Sequence, residues 1–147
     1  MTIWLLLAAV VLIYIYVSYY YRYPTNTKII HANYDTFNPA LLTEKHPIIL
    51  LNAPEDQTLF KYLPTKTISV NEQEWHKNKH KYTLIRFNTP AEVYLLPAYK
   101  KLTPDETLLT VQMQPGYLLI VPFHWHYSLS IGTEVTGVDD YVTWMLP

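Results

Sequence analysis

The pattern of apolar and polar positions divides the chain into one long apolar run and several short ones. Residues 3–20 contain no charged side chain, which predicts an apolar helix about 27 Å long. This length is close to the ~30 Å of hydrocarbon in a bilayer. Tyrosines crowd the carboxyl end of the run, where aromatic rings favour the headgroup boundary, and Pro24 stops the helix. The pattern therefore predicts a single transmembrane helix within residues 1–23.

A cleaved signal peptide and a buried helix of a soluble protein are two other interpretations of this run. A signal peptide needs a cationic start and a small-residue cleavage site, but no Lys or Arg precedes Arg22. Arg22 and Lys28 follow the run, so the positive-inside tendency predicts a cytoplasmic carboxyl-terminal domain. The sequence thus predicts a single-pass membrane protein that has the lipid bilayer as a partner.

The rest of the chain reads as a linker and first strand in residues 24–36 and one β domain in residues 37–147. Short apolar or alternating runs are separated there by Pro, Asn, Asp and Gly, with almost no helical periodicity. The expected strands lie in residues 46–54, 55–70, 75–88, 91–102, 103–116, 115–131 and 139–147. This organisation predicts an all-β sandwich or barrel.

Composition excludes several classes of function. The net charge is -1 and no basic block is present, which argues against a nucleic-acid partner. The chain has no cysteine, so disulfides, thiolate metal sites and cysteine nucleophiles are excluded. It also lacks a phosphate-binding glycine loop and a Gly-x-Ser-x-Gly motif.

Histidines in two of the alternating runs are the candidate chemical groups. His124 and His126 share one face of the 115–131 run, and His76, Asn78 and His80 share one face of the 75–88 run. Each set fits either a metal site or ordinary polar residues of a half-exposed strand, and the pattern leaves both interpretations open. The acids at 105, 106, 139 and 140 are interpreted as turn-forming or solvated residues.

The stretch "MQPGYLLIVPFHWHYSL", residues 113–129, resembles the signature strand pair of cupin-like, Jumonji-C-type proteins. A Pro-Gly turn leads into an apolar strand, a proline, and a tryptophan that directly precedes a histidine. Residues 37–54 are similar to the opening of that family, "EVYLLPAYK" to a strand ending in Leu-x-Pro, and Trp144 to a late aromatic. The resemblance implies a double-stranded β-helix, a cupin-like jelly-roll barrel, behind the single transmembrane α-helix.

Many members of the family are iron(II)- and 2-oxoglutarate-dependent oxygenases with a His-x-Asp/Glu pair and a later histidine as metal ligands. By this resemblance His126 occupies the later-histidine position, and His76 and Asn78 occupy the pair. Asn78 departs from the pattern because a neutral amide replaces the expected carboxylate. His80 is a conjectural substitute ligand, and Lys81 or Arg86 would hold the cosubstrate.

Two functions of different classes follow. The first is a membrane-anchored, catalytically inactive cupin-like domain that needs no cofactor and has a structural role or binds a protein partner. The chain is rich in Tyr, Asn and Lys, which is reminiscent of proteins of large DNA viruses. This composition suggests a virion or host membrane as the location of the protein. The alternative is a membrane-held Fe(II)/2-oxoglutarate oxygenase with His76, Asn78 and His126 at the metal.

Overall fold

The computed structural model describes residues 1–20, 28–54, 60, 62–97 and 108–140, which form one α-helix and ten strands. Helix α1 spans Thr2–Tyr20. The strands are β1 (Ile30–Asn33), β2 (Ile48–Leu51), β3 (Thr65–Val70), β4 (His76–Lys77), β5 (Tyr82–Ile85), β6 (Ala91–Leu96), β7 (Leu109–Met113), β8 (Leu118–Pro122), β9 (His126–Leu129) and β10 (Thr133–Val138). Two short 3₁₀ helices, Tyr34–Thr36 and Pro39–Glu44, join β1 to β2, and an asparagine side chain caps each of them.

Helix α1 corrects the prediction of a membrane anchor. Among the described residues, no helix is long and apolar enough to cross a membrane. The predicted single-pass membrane protein, its orientation and its membrane location are therefore contradicted by the structure.

The described strands form two sheets rather than a barrel. The larger sheet has the order β1-β2-β8-β5-β10-β3, and the smaller has the order β4-β9-β6-β7. Strands β1 and β2 run parallel, and the other pairs are antiparallel. Hydrogen bonding among the described strands stops at β1 and β3 in one sheet and at β4 and β7 in the other. The predicted closed jelly-roll barrel is therefore wrong, although the chain is mostly β-sheet.

The two sheets pack face to face over an apolar core. The larger sheet contributes Ile85, Leu119, Val121 and Val135, and the smaller sheet contributes Val93, Leu95, Val111, Met113, Tyr127 and Leu129. Trp125, which has 0% of its surface exposed, lies in the same core. Alternation along each strand places these side chains on the inner face. Their burial is the main stabilising contribution to the sandwich.

A second apolar cluster covers part of the outer face of the larger sheet. Its sheet residues are Ile48, Leu50, Leu84, Leu118, Ile120 and Val138. Ala53 and Phe60 are buried in the same cluster, and the 3₁₀ helices pack on it through partly buried residues such as Phe37 and Leu41. Strand β8 is consequently buried on both faces along its whole length, which explains its continuous apolar sequence.

Two expected strands are each divided between the sheets. The 75–88 run forms β4 and β5, and the 115–131 run forms β8 and β9, so that a turn separates each pair. Strand β10 was not expected, because residues 133–138 lie between two predicted runs. The expected strand at 139–147 falls largely on residues 141–147, which lie outside the described residues.

Candidate functional site

The structure places the predicted ligands His76 and His126 on opposite faces of one sheet. Residues directly opposite in an antiparallel pair share a face, and the register pairs His76 with Tyr127 and Lys77 with His126. The His76 ring stacks on Tyr127 with 5.7 Å between ring centroids, and Tyr127 belongs to the inner core. His126 therefore lies on the outer face with Lys77, and the two imidazoles do not converge on one point.

Asn78, the third predicted ligand, is a buried structural residue that holds the turn between β8 and β9. Its amide nitrogen donates to the carbonyl oxygens of Val121 and Pro122 at 2.9 Å and 2.8 Å. Its side-chain oxygen accepts the His80 backbone N–H at 3.0 Å and the Thr83 hydroxyl at 2.6 Å. Two donors and two acceptor positions are all that an asparagine amide has, so Asn78 is saturated without a metal.

The residues predicted to hold a cosubstrate each contact other parts of the chain. Lys81 Nζ lies 3.2 Å from Asp140 Oδ2. The Arg86 guanidinium donates to the carbonyl oxygens of Ala53 and Pro54. Within the described part of the chain, no group of three or more His, Cys, Asp or Glu could hold a metal ion. The predicted residues thus do not fit an iron(II)/2-oxoglutarate centre.

His80 pairs with an acid instead of a metal. Its Nδ1 lies 2.9 Å and 3.1 Å from the two carboxylate oxygens of Asp139, and its ring packs on Gly137 of β10. Together with the pair formed by Lys81 and Asp140, this joins the start of β5 to the end of β10. The sequence predicts Asp139 and Asp140 as turn-forming or solvated acids, whereas both are paired in the structure. The sequence contains a basic dipeptide, His80-Lys81, and an acidic dipeptide, Asp139-Asp140. Only the pairing of β5 with β10 shows that the two dipeptides lie together.

A small pocket opens beside the Lys81–Asp140 ion pair, between the Pro39–Glu44 3₁₀ helix, the start of β5 and the end of β8. Its volume is about 80 Å³, and its lining residues are Leu42, Thr43, Lys45, Lys81, Tyr82, Pro122 and Phe123. Most of these side chains are apolar or aromatic, while Lys45 and Lys81 supply positive charge. The pocket therefore combines an apolar surface with a cationic border.

The turn next to this pocket lies in a positive electrostatic environment. His124 has a left-handed φ of 68° and stacks on Phe123 with 3.7 Å between ring centroids. Burial, and then the nearby Lys77, Lys45 and His126, lower the pKa of His124 to about 4. Burial and then Lys77 also lower the pKa of His126. Both rings are therefore neutral at pH 7, and the lysines carry the positive charge.

Comparison of this chain with protein-family models, with curated proteins and with solved structures gave no match. The resemblance to cupin-like, Jumonji-C-type proteins stays a prediction.

Proposed function

We propose that this protein is a non-catalytic binding module that recognises a segment of a protein partner. The segment would insert one aliphatic side chain into the pocket of about 80 Å³, here called the anchor pocket, and place acidic residues beside the neighbouring lysines. The observation that carries the proposal is the combination of an apolar pocket with a border of lysines.

The size of the pocket argues for a side chain rather than a whole ligand. Sites for drug-sized molecules have volumes of roughly 300–1,000 Å³, and a cavity of about 150 Å³ holds one benzene. A pocket of about 80 Å³ suits a branched aliphatic side chain, as in the small central pockets that receive anchor residues at protein interfaces.

The charges near the pocket determine which residues of the partner segment can lie beside the inserted side chain. Lys77 is exposed on the outer face of the smaller sheet, and both Lys77 and Lys45 act on the His124 ring. Asp140 offsets part of the charge of Lys81. The lysines around the pocket therefore favour Asp or Glu in the partner and disfavour Lys or Arg.

A random peptide library displayed on phage and selected on the full-length protein tests the proposal. We expect enrichment of peptides with one Leu, Ile or Val flanked by Asp or Glu. Thr43 is an exposed lining residue whose hydroxyl donates to the Ala40 carbonyl, so Thr43→Trp should block the pocket and abolish binding. Thr43→Ala removes the same hydrogen bond without filling the space, and it is the matched control that should retain binding.

The electrostatic part of the proposal has its own pair of variants. Lys77→Glu should lower the affinity for an enriched peptide about three- to tenfold, because a repulsion replaces an attraction of up to about 1 kcal/mol. Lys66→Glu reverses an exposed lysine on strand β3, which contributes no lining residue to this pocket, and should leave affinity unchanged. Selected peptides without acidic enrichment, or binding that survives in Thr43→Trp, would refute the proposal.

A further inference from the structure

A second recessed site lies on the outer face of the larger sheet. The apolar cluster covers this face over β2 and β8, whereas its β10 and β3 end presents polar side chains to solvent. The register aligns Thr67, Thr136 and Leu84 across three adjacent strands. Glu134 is exposed two residues before Thr136 on the same face.

This polar area borders an open groove of about 330 Å³, several times larger than the anchor pocket. This volume lies within the range of roughly 300–1,000 Å³ that is usual for ligand sites. Hydrogen-bonding side chains dominate its lining, which consists of Thr67, Leu84, Arg86, Asn88, Leu118, Thr133, Glu134 and Thr136.

Hydrogen bonds to the backbone hold the Arg86 side chain in this groove in the absence of a ligand. Its Nη1 donates to the Pro54 carbonyl at 2.7 Å, and its Nη2 donates to the Ala53 carbonyl. These contacts tie the guanidinium to the backbone of Ala53 and Pro54 while leaving further N–H donors of its planar fork for another partner. A pre-oriented donor loses little conformational entropy when it binds a ligand.

We propose that this groove binds a neutral saccharide. Arg86 and Glu134 contribute opposite charges, so an anion would meet the carboxylate and a cation would meet the guanidinium. The three threonine hydroxyls and the Asn88 amide each donate and accept hydrogen bonds, as the hydroxyls of a sugar do. Leu84 and Leu118 add a small apolar area for the C–H face of a sugar ring. The site is separate from the anchor pocket and does not depend on the proposed protein-binding role.

A printed array of neutral, sialylated and sulfated glycans, probed with the full-length protein, tests this inference. The strongest neutral oligosaccharide is then titrated into isotopically labelled protein. We expect amide shifts at Thr67, Glu134 and Thr136. Thr67→Val, which has the same shape without the hydroxyl, and Glu134→Gln should each weaken binding at least threefold.

Glu72→Gln is the matched control, because Glu72 is an exposed acid next to β3 that does not line the groove. It should bind as the wild type does. Thr67 and Glu134 are themselves exposed, so thermal melting should show all three variants folded. Binding of acidic glycans alone, shifts outside the groove, or no glycan binding at all would each overturn the inference.

Discussion

Asn78 determines the geometry of the region where the metal site was expected. Its side chain bonds to both carbonyls at the end of β8, and its own carbonyl accepts the His124 backbone N–H at 2.7 Å. Its backbone N–H donates to the Trp125 carbonyl at 2.8 Å. One buried amide therefore holds the Phe123–His124 turn and the start of β5 together. An aspartate could not replace it, because a carboxylate cannot donate to the two carbonyl groups.

Asn78→Asp consequently should destabilise the protein, although it restores the acid of the oxygenase pattern. We expect a loss of about 2–4 kcal/mol in the free energy of unfolding, since a buried carboxylate would face two carbonyl oxygens. Urea unfolding followed by circular dichroism measures this loss. Asn88→Asp changes an exposed asparagine and should have little effect. An Asn78→Asp protein as stable as the wild type would contradict the role assigned to Asn78.

His124 should make stability depend on pH. Because its pKa in the folded protein is lowered to about 4 from 6.5, the unfolded chain binds the proton more strongly between these values. Stability should therefore fall as pH decreases from about 6.5 to 4 and be unaffected by this group above that range. The slope is at most about 1.4 kcal/mol per pH unit and is smaller here because His124 is partly exposed.

His124→Asn tests this dependence, since asparagine tolerates a left-handed φ. Urea unfolding at pH 7.5, 6 and 4.5 should show that the variant loses less stability than the wild type on acidification. His31→Asn, at an exposed position in β1, should follow the wild-type curve. Equal pH dependence in the wild type and His124→Asn would exclude the proposed burial effect.

At the scale of single elements, strand β10 packs against His80 through a glycine. A Cβ built on Gly137 would lie 2.6–2.7 Å from atoms of the His80 ring. Gly137→Ala should therefore displace the ring, break its contact with Asp139 and cost about 1–3 kcal/mol. A double-mutant cycle with His80→Ala tests this mechanism. The double variant should be more stable than the sum of the single effects predicts, and strict additivity would show that the clash lies elsewhere.

The strands show which parts of the fold the sequence could predict. Strands β2 and β6 lie within predicted runs because their apolar residues and bordering prolines act locally. The sequence predicts one strand in residues 75–88, because the alternation of polar and apolar positions continues through Asn78. Only the contact of Asn78 with residues 121 and 122 reveals a turn there. The faces of His76 and His126 depend on the same turns, so sequence alone could not separate them.

At the scale of the whole molecule, the strands of the larger sheet differ in how well they are protected from solvent. Strand β8 lies between β2 and β5 and is buried on both faces, whereas β3 is the last strand of the same sheet and is mostly exposed. Native-state hydrogen exchange should find the slowest amides in Leu119–Val121 and much faster exchange in Thr65–Thr67. Equal protection of both segments would contradict the described sheet order.

The position of β10 between β5 and β3 has a consequence for biosynthesis. Strand β3 emerges from the ribosome early, but its partner in the sheet is the last of the described strands to be made. Pairing over such a separation in sequence closes slowly, and an exposed strand that waits is prone to associate with other chains. The nascent chain therefore exposes the unpaired edge of β3 until residue 138 has left the exit tunnel.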